Sequence, residues 1–275
     1  MRYDFVPATE DSRLDHVGSY RRRLPVSLDR IYENTLDWQH LPHLHSSSFH
    51  SIRIEAAGAW GWRANVASGD GQAASKSRIE LRLDRDARRW ITRTLAGPHV
   101  GAEIWTHVFV VSERVLDIIV DFFVPGVSSD SKDEVGQAYA RSYERLYDED
   151  VEMMTQRQRQ LDQRLDGVDN SQTIELDAAA PLPQLVTLSG RQFVLNRLDN
   201  AESNGPDPWV IYPAQCPHQL GPLKNATLVN GVVRCPWHGY EFDVRSGACV
   251  SDSQCQFGRV PKITELKGRV QLRWV

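Results

Sequence analysis

The sequence predicts an α+β domain, an antiparallel sheet closed by a long carboxy-terminal helix, followed by a small all-β domain. Two patterns carry the first half of that prediction. Ile79, Leu81 and Leu83 alternate with Arg78, Glu80, Arg82 and Asp84, as in a strand with one wet face, and a helical run extends from about residue 133 to 165. The second half rests on short strand-like runs, separated by Gly, Pro, Asn and Asp turns, in the last third, where all four cysteines lie.

A chain of 275 residues is comfortable for two domains. The stretch GVDNSQTIELDAAAPLPQ is poor in large apolar residues and carries Gly167, Pro181 and Pro183, so it reads as a linker. The expected domains are 1–170 and 171–275. A net charge of -4 gives no reason to expect a nucleic-acid or membrane-surface partner, and the short runs Arg21-Arg22-Arg23 and Arg88-Arg89 read as solvated faces. The opening MRYDFVPATEDSRLD fits neither a signal peptide nor a lipid anchor, and no apolar stretch is long enough to span a bilayer. The expectation is a cytoplasmic protein whose cysteines are ligands or free thiols.

In the first domain, a helix is expected to start near Pro25 and Ser27, with helices opening and closing the sheet. Further strands are expected at 52–55, 90–95, 104–111 and 115–123. On the first helix Leu28, Ile31, Thr35 and Trp38 fall on one side, with Glu33, Asp37 and His40 on the other, which alone reads as a solvated face. Pro42 disfavours helical geometry at Leu41, so His43 and His45 follow a break. A histidine at a helix end and another beyond a turn can converge on one metal. On the last helix Tyr139, Tyr143, Leu146, Met153, Met154 and Leu161 form an apolar face with Asp150 near its middle, while Asp148, Glu149 and Glu152 point elsewhere. An inward carboxylate needs a positive charge, a donor or a metal, and Arg157 is the competing partner. Two histidines and an aspartate form the ligand set of a non-haem iron(II) site with open positions.

In the second domain strands are expected at 185–188, 193–198, 209–212, 227–234 and 270–274, with Asn230-Gly231 as a hairpin turn. Cys216-x-His218, sixteen intervening residues, and Cys235-x2-His238 set one cysteine and one histidine on each of two turns. Zinc fingers usually pair like with like. Mixed turns suit two irons side by side, the cysteines on one and the histidines on the other.

The CPH and CPWHG motifs resemble those of the Rieske 2Fe-2S family. The resemblance implies a 2Fe-2S cluster bound by Cys216 and Cys235 on one iron and His218 and His238 on the other. Respiratory-chain members carry a disulfide between the loops, whereas the matching positions here are Pro222 and Trp237. Their donor serine and tyrosine fall at Tyr240 and Phe242, which implies a low potential for the family. Cys249 and Cys255 read as buried thiols, with a disulfide as the lesser alternative.

ENTLDWQHLPHLH is similar to the Asp-x2-His-x4-His stretch of Rieske non-haem iron oxygenases, and DEDVEMMTQRQ to the helix carrying their third ligand. That resemblance implies mononuclear Fe(II) on His40, His45 and Asp150, with Asp37 as the catalytic bridge for electrons and His43 as a substitute or neighbour. It implies a START-like helix-grip catalytic domain. The domain order is reversed relative to the family, so electron transfer within one chain and between chains both stay open. The family further implies an NAD(P)H-dependent reductase or ferredoxin as electron donor, a small organic substrate with O2, and a homo-oligomer such as a trimeric ring. Trp60, Trp62, Trp105 and Phe123 are candidates to line its pocket. The alternatives are an electron carrier or a ligand-binding redox sensor.

Overall fold

In the computed structural model, residues 14–68, 75–163, 171–198, 208–251 and 255–274 are described. The chain divides into two compact units, residues 1–158 and 159–275. The first holds a seven-stranded antiparallel sheet in the order β1-β7-β6-β5-β4-β3-β2. Its strands are β1 (Leu14–Leu24), β2 (Ser51–Gly58), β3 (Gly61–Ser68), β4 (Ser75–Asp84), β5 (Arg89–Ala96), β6 (Glu103–Ser112) and β7 (Val115–Pro125). Helices α1 (Leu28–Leu36) and α2 (Leu41–Leu44) lie between β1 and β2, and the long α3 (Lys132–Asp162) follows β7.

Strand β7 shows why the sheet has one dry face. Leu116, Ile118, Val120, Phe122 and Val124 are buried while their neighbours are only partly so, the period of two that a half-buried strand requires. Helix α3 lies on that face: Tyr139 stacks on Phe122 at 5.3 Å between ring centroids, and Tyr143 tilts over it at 5.2 Å. The close approach of α3 to β1 needs glycine on both sides. A Cβ at Gly136 would stand 2.1 Å from the Val17 carbonyl oxygen, and one at Gly18 would stand 3.2 Å from the Gly136 Cα. Leu161, expected on the inner face, is exposed in the last turn of α3.

Strand β1 was not among the expected elements, which placed a helix at the front of the sheet. Glycine and three arginines obscure its alternation, and a register shift between His16 and Gly18 changes its phase. Beyond the shift Tyr20, Arg22 and Leu24 turn inward. Arg22 is therefore only partly solvated: its Nη1 reaches Asp148 at 2.6 Å and Tyr20 Oη at 3.4 Å.

Among the described residues the second unit holds three small antiparallel sheets. They comprise β9 (Gln184–Leu188), β10 (Arg191–Arg197) and β11 (Trp209–Pro213); β12 (Leu228–Val229), β13 (Val232–Arg234) and β14 (Glu241–Asp243); and β8 (Thr173–Asp177) with β15 (Lys262–Leu266) and β16 (Arg269–Arg273). Part of the expected linker is strand β8. Ile174 and Leu176 pair across from Leu272 and Val270, so the partner strand supplies the apolar density that this stretch lacks. Residues 164–170, where the expected boundary lies, are outside the described residues. The fold class is the expected one: an α+β domain, its antiparallel sheet closed by a long carboxy-terminal helix, followed by a small all-β domain. Among the described residues no helix is long and apolar enough to cross a membrane.

Candidate metal centres

The first centre begins with a capped helix. Ser27 Oγ accepts from the Arg30 N–H at 3.3 Å and starts α1. Asp37, with ψ at 82°, ends it, and a 3-10 turn over Trp38–His40 leads into α2. The break thus falls at Asp37, four residues before the expected one at Leu41, which is itself helical (φ -50°, ψ -51°). Pro42 sits in the first turn of α2, where its missing N–H leaves no helical bond unmade. Because the phase changes at Asp37, Asp37 and His40 leave the solvated stripe that a continuous helix would give them. His40 is buried, and the Asp37 side chain is 7% exposed.

His40, His45 and Asp150 converge, with one ligand-type atom from each lying within 4.8 Å of the others. All three are buried. The Asp150 Oδ1 atom is the meeting point: His45 Nε2 lies 3.0 Å away, His40 Nε2 3.5 Å, and Asn34 Nδ2 donates to it at 2.9 Å. The opposite ring nitrogens also face carboxylates. His45 Nδ1 is 2.5 Å from Glu149 Oε2, and His40 Nδ1 is 3.7 Å from Asp37 Oδ2. Burial opposes charge on His45, but hydrogen bonding to Asp150 and Glu149 outweighs it and raises its pKa. Burial likewise opposes ionisation of Asp150, and His45, His40 and Asn34 outweigh it, so its carboxyl is held below the usual range. Arg157 does not compete: its Nε and Nη2 donate to Glu33 at 2.8 and 2.7 Å.

His43, partly exposed within α2, is not in this group. Sequence reasoning missed Asn34 and Glu149. A carboxylate beside a ligand residue is a usual partner for a ligand histidine, which was a signal for Glu149, whereas nothing in the spacing marked Asn34.

The site opens on a cavity of about 130 Å³ whose lining includes Trp62, Trp90, Leu81, Tyr143 and Tyr147. Trp62 also anchors α1, its Nε1 donating to Thr35 O at 3.0 Å. The other aromatic candidates lie elsewhere. Trp60 sits under the Arg82 guanidinium, while Trp105 tilts on Phe123 at 5.7 Å beneath Arg89. Burial raises the pKa of the Tyr143 and Tyr147 phenols, so both stay protonated near neutral pH.

The second centre is built from one turn used twice. Cys216 N–H donates to Gly221 O at 2.8 Å and Cys235 N–H to Tyr240 O at 2.8 Å; Leu220 N–H returns to Cys216 O and Gly239 N–H to Cys235 O, each at 2.9 Å. Leu220 and Gly239 both have positive φ, at 63° and 68°. The equivalent residues in the two turns are therefore Leu220 and Gly239. Cys216 and Cys235 are buried and free, and the rings of His218 and His238 stand at 89° with centroids 4.6 Å apart. The hydrogen bond from Cys216, helped by His238 and the N–H groups of Trp237 and His238, outweighs burial and lowers the Cys235 pKa, while the same contact and burial raise that of Cys216. A Cβ at Gly221 would meet Cys235 Sγ at 2.9 Å, so only glycine leaves room beside that sulfur.

Two facing thiols, one disposed to be a thiolate, and two facing imidazoles fit a cluster with mixed ligation. Phe242 is buried and stacks on Phe257 at 4.7 Å, so it offers no polar donor there. Cys249 and Cys255 are thiols, half-buried rather than buried, and Cys249 Sγ lies 3.1 Å from Ser251 Oγ.

Comparison with known proteins gives a match to the Rieske 2Fe-2S domain over residues 168–263. A stretch of 35 residues, 13% of this chain, is 54% identical to the oxygenase component of dicamba O-demethylase from Stenotrophomonas maltophilia, and spans 10% of that protein. Among solved structures, a START superfamily protein from Mycobacterium smegmatis aligns over 50% of this chain and 96% of its own, at 13% identity and a TM-score of 0.41. The Zhui aromatase/cyclase from Streptomyces sp. R1128 aligns over 57% and 100%, at 15% identity and 0.40. The Rieske match implies a 2Fe-2S cluster and a role in one-electron transfer.

Proposed function

We propose that the chain is the oxygenase component of a Rieske-type system, with a 2Fe-2S cluster on Cys216, His218, Cys235 and His238 and a mononuclear iron(II) on His40, His45 and Asp150. The observation that carries this reading is the convergence of two buried imidazole Nε2 atoms and a buried carboxylate on a cavity wall, in a chain that also has a one-electron domain. When bound, the two centres supply single electrons and O2 activation for hydroxylation or oxidative demethylation of a small organic substrate.

The residues around the site have defined tasks. Three protein ligands leave coordination positions to other molecules. Asn34 holds the Asp150 carboxylate in its inward rotamer, and Asp37, beside the Nδ1 of His40, is the residue assigned to link that ligand to the electron path. Trp62, Trp90 and Leu81 keep the space apolar. A cavity of about 130 Å³ has room for about one aromatic ring, since a cavity of about 150 Å³ accepts benzene. Tyr143 and Tyr147, protonated, can donate a hydrogen bond to a polar group on that occupant. Electrons would come from an NAD(P)H-dependent reductase or a ferredoxin, and the chain would work as a homo-oligomer.

The test is iron and acid-labile sulfide per chain in anaerobically prepared protein. Wild type should hold about three irons and two sulfides, and Asp150→Ala about two irons with both sulfides kept. About two irons in both would refute the oxygenase reading and leave a carrier or sensor. The carrier alternative expected Asp150 to pair with Arg157, which pairs with Glu33 instead; the sensor alternative expects tight ligand binding without turnover.

A further inference from the structure

We infer that Glu149 is a positioning residue for the mononuclear site: by accepting the Nδ1–H of His45 it fixes the tautomer and ring orientation that leave Nε2 for a divalent cation. The inference rests on the metal-site reading above and goes beyond it, because neither the ligand set nor the comparisons assign Glu149 any part.

Four observations support it. The contact is short, 2.5 Å from Oε2 to Nδ1, and sits on the ring nitrogen opposite the one facing Asp150. His45 has no freedom to turn elsewhere, with its side chain 2% exposed and its ring 5.1 Å from that of His40. Glu149 comes from the same turn of α3 as Asp150, so one helix position sets a ligand and the orienter of a second ligand together. His40 has a looser counterpart, with Asp37 Oδ2 3.7 Å from its Nδ1. Each imidazole therefore has a carboxylate behind it, at hydrogen-bond distance for His45 and at 3.7 Å for His40, while its Nε2 points to a shared centre. A neutral histidine carries its proton on one nitrogen only; with a cation engaging Asp150 on the Nε2 side, the Glu149 carboxylate at Nδ1 selects the tautomer whose Nε2 lone pair is free.

The test uses the full chain with its cluster loaded and oxidised, and cobalt(II) as the probe. Bound cobalt is read by equilibrium dialysis with elemental analysis, and ligand geometry by its high-spin EPR signal. Glu149→Ala should weaken cobalt binding by about 10- to 100-fold and shift the EPR signal. Glu149→Gln, whose amide oxygen can still accept from Nδ1–H, should recover part of the loss. Alanine suits a helix and the Glu149 side chain is 32% exposed, so the variant should keep its fold and cluster.

Cobalt affinity unchanged or tighter in Glu149→Ala would overturn the inference. Tighter binding is the result expected if Glu149 only pairs with a protonated His45, a proton that the metal must displace. The parent reading fails differently: wild type would bind no cobalt that His45→Ala abolishes.

Discussion

Gly221→Ala is the sharpest perturbation of the cluster loops, because its effect is purely steric. Gly221 does not have a positive φ, so alanine meets no backbone penalty there. Its Cβ would stand 2.9 Å from Cys235 Sγ and 3.0 and 3.1 Å from two ring carbons of Trp237. Carbon atoms in contact prefer about 3.5 to 4.0 Å, so at the Trp237 ring the methyl intrudes by roughly half an ångström or more. Neither neighbour can retreat cheaply: Cys235 is 1% exposed and Trp237 5%. Overpacking of this kind costs about 1–3 kcal/mol. At about 4 °C per kcal/mol for a unit of this size, the cluster-loaded protein should melt about 4–12 °C lower. Acid-labile sulfide per chain should fall as well, because the displaced atom is a proposed cluster ligand. Melting followed by the visible absorption of the cluster, beside sulfide analysis, checks both. Wild-type sulfide content with an unchanged melting point would refute the packing argument.

Three further outcomes are expected. Gly136→Ala places a Cβ 2.1 Å from the backbone oxygen of Val17, which cannot move as a side chain would, so it should destabilise by about 1–3 kcal/mol in chemical denaturation despite alanine's better helix propensity. Leu220→Gly relieves a left-handed conformation costing about 1–2 kcal/mol and gives back up to about 1 kcal/mol as unfolded-chain entropy, so stability should change by less than about 1 kcal/mol, whereas a matched Leu188→Gly should lose several. Glu80 accepts from Arg82 Nε at 2.6 Å and Arg63 Nε at 2.8 Å, and these bonds outweigh burial and hold its carboxyl below the ordinary 4.5. A depressed carboxyl stabilises above the unfolded value and stops doing so as pH falls through the folded one. Glu80→Gln should therefore cost about 2 kcal/mol at pH 7, with the difference from wild type shrinking below about pH 4 when melts are compared across pH.

Much of the fold was legible because alternation and helical periodicity are strong over β4, β7 and α3. What escaped notice was set by partners distant in sequence. Strand β8 has only Ile174 and Leu176 to show, and becomes a strand because β16 lies open beside it. Strand β1 carries arginines inward and outward, and its bulge removes the regular period. At the first candidate centre the residues brought together are the three expected as ligands, yet their surroundings were misjudged. A straight helix through Asp37 would have left His40 in solvent, and the cap at Asp37 turns it inward. A helical wheel points Glu149 away from the core because it describes directions from an axis, whereas a glutamate side chain reaches sideways to a histidine in the opposing α1–α2 segment.

The run Asp148, Glu149, Asp150 shows how one helical rotation distributes three equal charges. Successive residues differ by about 100°, so Asp148 meets Arg22 on β1, Glu149 meets His45 and Asp150 enters the cavity. A rotation of α3 by one residue would offer Glu149 or Val151 to the histidines in place of Asp150. The rotation needs an anchor, and Gly136 supplies one. Fourteen residues separate Gly136 from Asp150, which at about 100° each leaves them about 40° apart around the helix and about 21 Å apart along it. Both therefore face the sheet, and seating Gly136 against Val17 and Gly18 also aims Asp150 inward. Gly136→Ala should then weaken metal binding at the His40, His45 and Asp150 centre while leaving cluster sulfide at the wild-type level. Equal loss at both centres would show that the glycine acts on the fold as a whole and not on the rotation of α3.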